Sequence, residues 1–243
     1  MRRLLPEPAC DIDPYEAYAQ AEREWLRVGM VLSADGSVTD EAGWTDGLGG
    51  DADFRVFRTL RALADGIMVG AATVRTGRIG PARLRKDLRE RRGGPPAPII
   101  VVSRSLDLDW AHPLFTEAET PTIVVTSHAA LETGRPPVDT VAAGQDRIDL
   151  AQAVKELRTS YGLGHLLCEG GPGLTTSLLN AGLVDELCLN LAPTLIGGSH
   201  HTRLLGGLSG RAELALGGVC TDEGLLFLRY LVSRPIPAGP GRR

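Results

Sequence analysis

The sequence predicts an α/β fold with a mostly parallel central sheet, helices on both faces and antiparallel strands at its C-terminal end. Three observations carry this. Short β-branched runs alternate with helical patterns through most of the chain. Several strand-like runs end in glycine and open directly into a helix start, the mark of a β-to-α junction. Past Glu186 strand-like runs follow one another with no helical pattern between them, which calls for antiparallel neighbours.

The elements follow in order. Asp13-Pro14-Tyr15-Glu16 is a capping box with proline at the first helical position, predicting a helix to about Glu24. Trp25 to Leu32 reads as a strand, Asp35-Gly36 as a turn, and Gly43 to Gly50, with its four glycines, as a loop. Phe54, Phe57, Leu60 and Leu63 recur every three residues and predict an amphipathic helix from about Asp51 to Ala64. Gly66 to Val69, Ile99 to Val102, Thr122 to Thr126 and Val138 to Ala142 are short strands bounded by turn residues. Asp149 caps a helix to about Tyr161. His165 to Cys168 is a strand, Leu174 to Ala181 a helix and Glu186 to Ala192 a strand. Leu225 to Val232 is almost wholly apolar and reads as a strand covered on both faces.

At 243 residues, with no repeat and no dividing linker, the chain reads as one domain, 1–243, with a core of about 25–232 and a disordered tail at 235–243. A hydrophobic content of 43% with 23% charged residues is ordinary for a globular protein. No apolar run reaches membrane-spanning length and Met1 to Pro6 lacks the apolar core of a signal peptide, so the expected location is the cytoplasm, with no membrane partner. A net charge of −4 and few aromatics argue against nucleic acid. Arg83, Arg85, Lys86, Arg89, Arg91 and Arg92 form a local basic run, read either as an exposed face or as an electrostatic guide for a phosphorylated ligand. Cys10, Cys168, Cys188 and Cys220 form no C-x-x-C pair, and three lie in apolar runs, so buried thiols are expected. His200-His201 has no further ligand at zinc spacing, and no metal site is expected.

Chemistry concentrates at three strand-to-helix junctions. In His165-Leu166-Leu167-Cys168-Glu169-Gly170-Gly171-Pro172-Gly173-Leu174 an apolar run ends in a glycine turn that opens into a helix. Glycines let backbone approach a ligand, and the helix's free N–H groups favour an anion, so the turn suits a dinucleotide phosphate. The same glycines would also serve a plain strand-to-helix connection. Glu169 would repel phosphate and is expected to face a second, hydrogen-bonding ligand. Thr176 breaks the G-x-G-x-x-G pattern, which argues against a standard Rossmann domain. At the second junction Gly70 offers close approach and Thr73 a hydroxyl near a helix start, where it could equally be a cap. At the third, Ser103-Arg104-Ser105 after Ile99–Val102 suits a phosphate monoester such as the 2′-phosphate of NADP.

The ordered segments Leu32-Ser33-Ala34-Asp35-Gly36, Arg61 to Val74, Val101-Val102-Ser103, Glu169 to Leu174, Leu183 to Leu187 and Ala192 to Gly198 resemble the reductase domain of bacterial riboflavin biosynthesis. This is the pyrimidine reductase family, with a dihydrofolate-reductase-like fold, and the resemblance runs from about Trp25 to Val232. It implies an NADPH-dependent, usually dimeric enzyme that reduces the ribosyl group of a ribosylaminopyrimidine phosphate to ribityl. Carried over, the cofactor would meet Val31, Gly70, Thr73, Ser103, Arg104, Gly170, Gly171, Pro172, Gly173, Leu174 and Thr175. The substrate would meet Ser33, Arg61, Arg83 and Glu169. Asp35 and Glu169 are the catalytic candidates, Asp35 for ordering the site or relaying a proton. Deaminase motifs of the family's bifunctional members are missing, so a stand-alone reductase is expected. Gly29 and Met30 stand where a lysine is frequent, and the loop at 43–50 aligns poorly. A pterin-type substrate on the same fold, and a non-catalytic NADPH-binding protein, are the competing readings.

Overall fold

Alternation along β3 (Gly66–Gly70) shows how the core is organised: Ile67 and Val69 pack into one apolar cluster and Met68 into another, all fully buried. A strand buried on both faces needs helices on both sides, and the chain supplies them. The computed structural model describes residues 1–20 and 22–234. In order these form β1 (Arg2–Leu5), α1 (Pro14–Tyr18), β2 (Trp25–Ser33), α2 (Asp46–Leu63), β3, α3 (Ala71–Arg75), α4 (Lys86–Arg92), β4 (Ile99–Val102), α5 (Pro113–Thr116) and β5 (Ile123–Thr126). There follow α6 (His128–Glu132), β6 (Asp139–Ala142), α7 (Leu150–Tyr161), β7 (His165–Cys168), α8 (Pro172–Asn180), β8 (Glu186–Ala192), β9 (Glu213–Asp222) and β10 (Leu225–Arg234).

All ten strands join one sheet in the order β1-β9-β10-β8-β2-β7-β3-β4-β5-β6. From β8 to β6 every pairing is parallel; β10 pairs antiparallel with β8 and β9, and β1 with β9. This is the predicted mixed sheet. On one face α2 sets Val56 and Leu60 against Ile67, Val101 and Leu167. On the other α7 and α8 set Val154, Leu157 and Leu178 against Val28, Met68 and Ile100. The Asp149 carboxylate accepts from the Gln152 N–H at 3.0 Å, the predicted cap of α7.

Four expectations change. The first helix stops at Tyr18 rather than near Glu24, because arginines from distant strands take its last carbonyls: Arg27 donates to Tyr18 O at 2.8 Å and Arg229 to Ala17 O. Gln20 turns away to donate to Glu186 at 3.2 Å. Glu186 is fully buried and also accepts from Arg27 and Arg229, both at 2.6 Å, and these cations hold its carboxyl below the usual range against the upward push of burial. Second, β10 is covered on one face and only in part on the other, where Tyr230 and Val232 still pack against the core. Phe227 is buried, while Leu226, with Leu214 and Leu216 of β9, opens to solvent on the opposite face. Third, β1, β9, α5 and α6 carried no recognised signal, and α4 carries the basic run. Fourth, the basic run is clothed in partners: Arg89 binds Glu119, Arg91 binds Asp13 and stacks on Tyr15, and Arg92 donates to the carbonyls of Ala62, Ala64 and Pro95. The predicted tail at 235–243 lies outside the described residues. Cys168, Cys188 and Cys220 are buried thiols, as expected, and Cys10 is exposed.

Candidate active site

The parallel strands β3, β4 and β7 release their chains at one edge of the sheet, and two glycine junctions meet there. Gly70 N–H donates to Gly170 O at 3.0 Å, and Glu169 N–H to Met68 O at 3.1 Å. Gly170 has φ +97°, a conformation that favours glycine, and a Cβ there would also crowd Met30 Sδ at 3.0 Å. Gly171, joined to it by a cis peptide, is the N-cap of α8 and gives no side-chain cap; Pro172 follows at the first turn. The N–H groups of Gly173 and Leu174 are therefore free to face an anion. Thr73 borders the same space: its Oγ1 lies 3.8 Å from where a Gly171 Cβ would sit. Gly70, likewise without a side-chain cap, begins α3. The surface is bare backbone on two helix starts with one hydroxyl beside it, which fits the pyrophosphate of a dinucleotide. Thr175 departs from its expected role. Its side chain is fully buried with Oγ1 3.9 Å from Cys168 Sγ, so it supports the turn from inside. Ser103 ends β4, next to β3; it is buried and its Oγ accepts from Leu106 N–H at 3.1 Å, while Arg104 beside it is exposed.

A cleft lies on the α2 side of the glycine turn, between α2 and β2, β7 and β8. Its wall includes Gly29, Met30 and Val31 of β2, Asp53, Phe54 and Phe57 of α2, Glu169, and Asn190 of β8. Its volume is about 110 Å³, on the scale of a single ring, since a cavity of roughly 150 Å³ holds benzene. A Cβ at Gly29 would press on Leu60 Cδ1 at 3.0 Å, so that glycine lets α2 close on the sheet. Arg61 and Glu169, both expected to face substrate, face each other. Nε donates to Oε1 and Nη2 to Oε2, both at 2.6 Å, and the guanidinium stacks on Phe57 at 4.4 Å. Burial opposes the charge on Arg61, but Glu169 more than offsets it and raises the guanidinium further. The pair makes a fixed wall from which Glu169 lines the cleft.

At the mouth Arg78 stacks on Trp44 at 3.6 Å and reaches Asp46 at 3.4 Å, tying the glycine-rich loop to the segment after α3. Asn190 Nδ2 donates to Asp53 Oδ1 at 2.6 Å. Burial pushes the Asp53 carboxyl up, partly countered by that hydrogen bond. Sequence reasoning missed Asp53, Asn190, Arg78 and Trp44. The only available signal was a polar Asn190 inside the apolar run of β8.

Two expected site residues, Ser33 and Asp35, serve the framework, and a third, Arg83, lies outside the cleft. Ser33 is fully buried; its Oγ accepts from Ser37 N–H at 2.8 Å and donates to Asp35 Oδ1 at 2.5 Å. Asp35 also accepts from Ile196 N–H at 3.2 Å and Gly197 N–H at 2.8 Å. These bonds, the Ser33 hydroxyl first, hold its carboxyl down to about 2, so that Asp35 clips its turn to the backbone of Ile196 and Gly197. Arg83 is exposed in the segment between α3 and α4, outside the cleft wall.

Residues 24–226 match the RibD C-terminal domain family. The chain is 34% identical over 185 residues to the 2,5-diamino-6-ribosylamino-4(3H)-pyrimidinone 5′-phosphate reductase of Archaeoglobus fulgidus, covering 72% of this chain and 83% of that protein. It is 30% identical over 194 residues to the protein of the same name from Methanothermobacter thermautotrophicus, covering 76% and 85%. Among solved structures, a pyrimidine reductase-like protein from Corynebacterium diphtheriae superposes with a TM-score of 0.77 at 26% identity, covering 92% of this chain and all of that one. The α/β class expected from the sequence, a mostly parallel sheet with helices on both faces and antiparallel C-terminal strands, is the observed one. The family match takes in every strand from β2 to β9, the glycine turn and the cleft; the chain belongs to the RibD C-terminal domain family.

Proposed function

We propose that this chain is an NADPH-dependent reductase that converts the ribosyl group of a ribosylaminopyrimidine 5′-phosphate to a ribityl group. One observation carries the reading: Glu169 lines a ring-sized cleft, and the next two residues, Gly170 and Gly171, belong to the phosphate cradle with Gly70 and Thr73. A dinucleotide on the glycines and a heterocycle in the cleft are thereby held against each other. NADPH bound there supplies a hydride. The chain's own residues orient and enclose: Phe54 and Phe57 offer apolar faces to a ring, and the Arg61–Glu169 pair keeps the wall rigid. The names of the archaeal relatives support the substrate class.

Preference for NADPH over NADH rests on the exposed Arg104 just past the end of β4, beside the buried Ser103. A charge-assisted phosphate contact contributes about 1.5–3 kcal/mol, so the preference should be roughly tenfold or more. Arg104→Ala should reduce it, and equal affinity of the unaltered chain for both cofactors would remove the assignment. The open apolar face with Leu214, Leu216 and Leu226 supports a homodimer, and the absence of a membrane-spanning helix among the described residues agrees with a cytoplasmic enzyme. Turnover decides the reading: NADPH should be consumed one for one with ribosylaminopyrimidine phosphate, and a ribityl product should accumulate. NADPH binding without turnover would favour a non-catalytic protein.

A further inference from the structure

On the reductase reading, we infer that Asp53 is a catalytic acid that hands a proton to the ring oxygen of the ribosyl group as that ring opens for reduction. A closed ribosylamine offers no double bond to a hydride. Its C1′–O4′ bond must break first, and an alkoxide leaves poorly unless it is protonated as it departs. The electron pair of that bond goes to O4′, which takes the Asp53 proton, while the lone pair of the exocyclic nitrogen forms a C1′=N bond. The cationic C1′ then accepts the hydride that NADPH supplies, and Asp53 regains its proton from water. One hydride and one proton are consumed, the difference between a ribosyl and a ribityl group.

Three carboxylates line the cleft, and one of them holds no cation. Glu169 has both oxygens on Arg61, at 2.6 Å each, and Asp46 reaches Arg78 at 3.4 Å. Asp53, half-buried on α2, pairs with no cation among the described residues. The strands of the wall bring it none: β2 contributes Gly29, Met30 and Val31, β7 contributes Leu167, and β8 the amide of Asn190. Asn190 Nδ2 donates to Asp53 Oδ1 at 2.6 Å and so anchors the carboxyl through one oxygen. Oδ2 meets no donor among the described residues and is not sealed in the interior. Burial pushes the carboxyl up, and the Asn190 bond lowers it only in part, which is the direction a proton donor needs. The backbone is shaped around this side chain: a Cβ at Gly49 would fall 2.3 Å from Asp53 Cβ, and Gly50, at φ +62°, breaks α2 just ahead of it. O4′ lies only a few bonds from the heterocycle, so a ring seated in this cleft of about 110 Å³ keeps it close to the same wall.

The test compares the unaltered chain with Asp53→Asn at saturating NADPH and ribosylaminopyrimidine phosphate. The substitution keeps the shape of the side chain and an acceptor for Asn190. NADPH affinity should therefore stay within about twofold while kcat falls by about 10²–10⁴-fold, the usual contribution of a catalytic acid. Two further readouts tell an acid from a structural support. In the unaltered chain kcat should fall as pH rises between about 5 and 9, because the protonated form is the active one, and in the variant that dependence should vanish. With NADPH deuterated at the transferred position, the isotope effect on kcat should shrink in the variant, because ring opening replaces hydride transfer as the slow step. A variant that keeps kcat within about threefold, or that loses rate with its pH dependence and isotope effect unchanged, overturns the inference. If the variant does not fold, the unaltered chain decides alone, and a kcat that does not fall with rising pH overturns the inference as well. Each of these results leaves ribityl product forming and the reductase reading intact. No ribityl product from the unaltered chain defeats that reading, and the inference with it.

Discussion

Removing Glu169 should destabilise the fold as well as disturb the site. Its carboxylate and the Arg61 guanidinium are 7% and 16% exposed and joined by two 2.6 Å hydrogen bonds. Glu169→Ala leaves that guanidinium buried without an anion, a change that costs about 3–5 kcal/mol. For a chain of this size each kcal/mol lowers the melting temperature by about 2–4 °C, so a fall of roughly 6–20 °C is expected. Arg61→Met combined with Glu169→Leu should recover much of the loss, since a well-packed apolar pair replaces a buried ion pair at little cost. Thermal unfolding of the single and double variants without cofactor measures both. A Glu169→Ala variant that melts within about 2 °C of the unaltered chain, or a double variant less stable than the single one, would refute the reasoning.

Other perturbations separate framework from site. Gly173→Asp places a charge at the start of α8, where an added Cβ meets nothing within 4 Å. It should hold or raise apo stability by about 0.3–1 kcal/mol through the helix dipole while weakening NADPH binding by charge repulsion; unchanged NADPH affinity in a titration would contradict the cradle. Asp35→Asn should destabilise the chain at neutral pH. Because the folded carboxyl is lowered from 3.8 to about 2, its contribution is complete above pH 4 and is lost as pH falls through 2. Stability curves of variant and unaltered chain should therefore converge in acid, and parallel curves would argue against the clip. Leu216→Glu, on the open face of β9, should leave monomer stability almost unchanged and convert a dimer to a monomer by light scattering. A monomeric mass for the unaltered chain at micromolar concentration would defeat the dimer.

Local signals made much of this architecture readable. Ile99–Val102 and His165–Cys168 are short, mainly apolar runs between turn residues, and both occur with the bounds the sequence suggests. The Asp149 cap acts within three residues and was equally plain. Glu169 beside the glycines was chemically odd enough to mark a second ligand, and it does line the cleft. What escaped depended on distant partners. The first helix ends early because Arg27 and Arg229 reach its carbonyls from β2 and β10. The Asp53–Asn190 contact spans 137 residues, and no local pattern announces it. The apolar character of β10 was apparent, but apolarity alone does not say whether this chain or a second copy covers the strand. Ser33 entered through the family resemblance and Asp35 as a nearby ionisable group, and the turn uses the side chains of both.

Reduction of a ribosylamino group to a ribitylamino group turns C1′, at the oxidation level of an aldehyde, into a CH₂. The most direct measurement of the central claim therefore follows the hydride. NADPH deuterated at the transferred C4 position is incubated with the chain and a ribosylaminopyrimidine 5′-phosphate, and the product is examined by NMR and mass spectrometry. The account predicts one deuterium per product molecule, located at C1′ of the ribityl chain. Deuterium in the heterocyclic ring, or NADPH oxidation with no ribityl product, would contradict it.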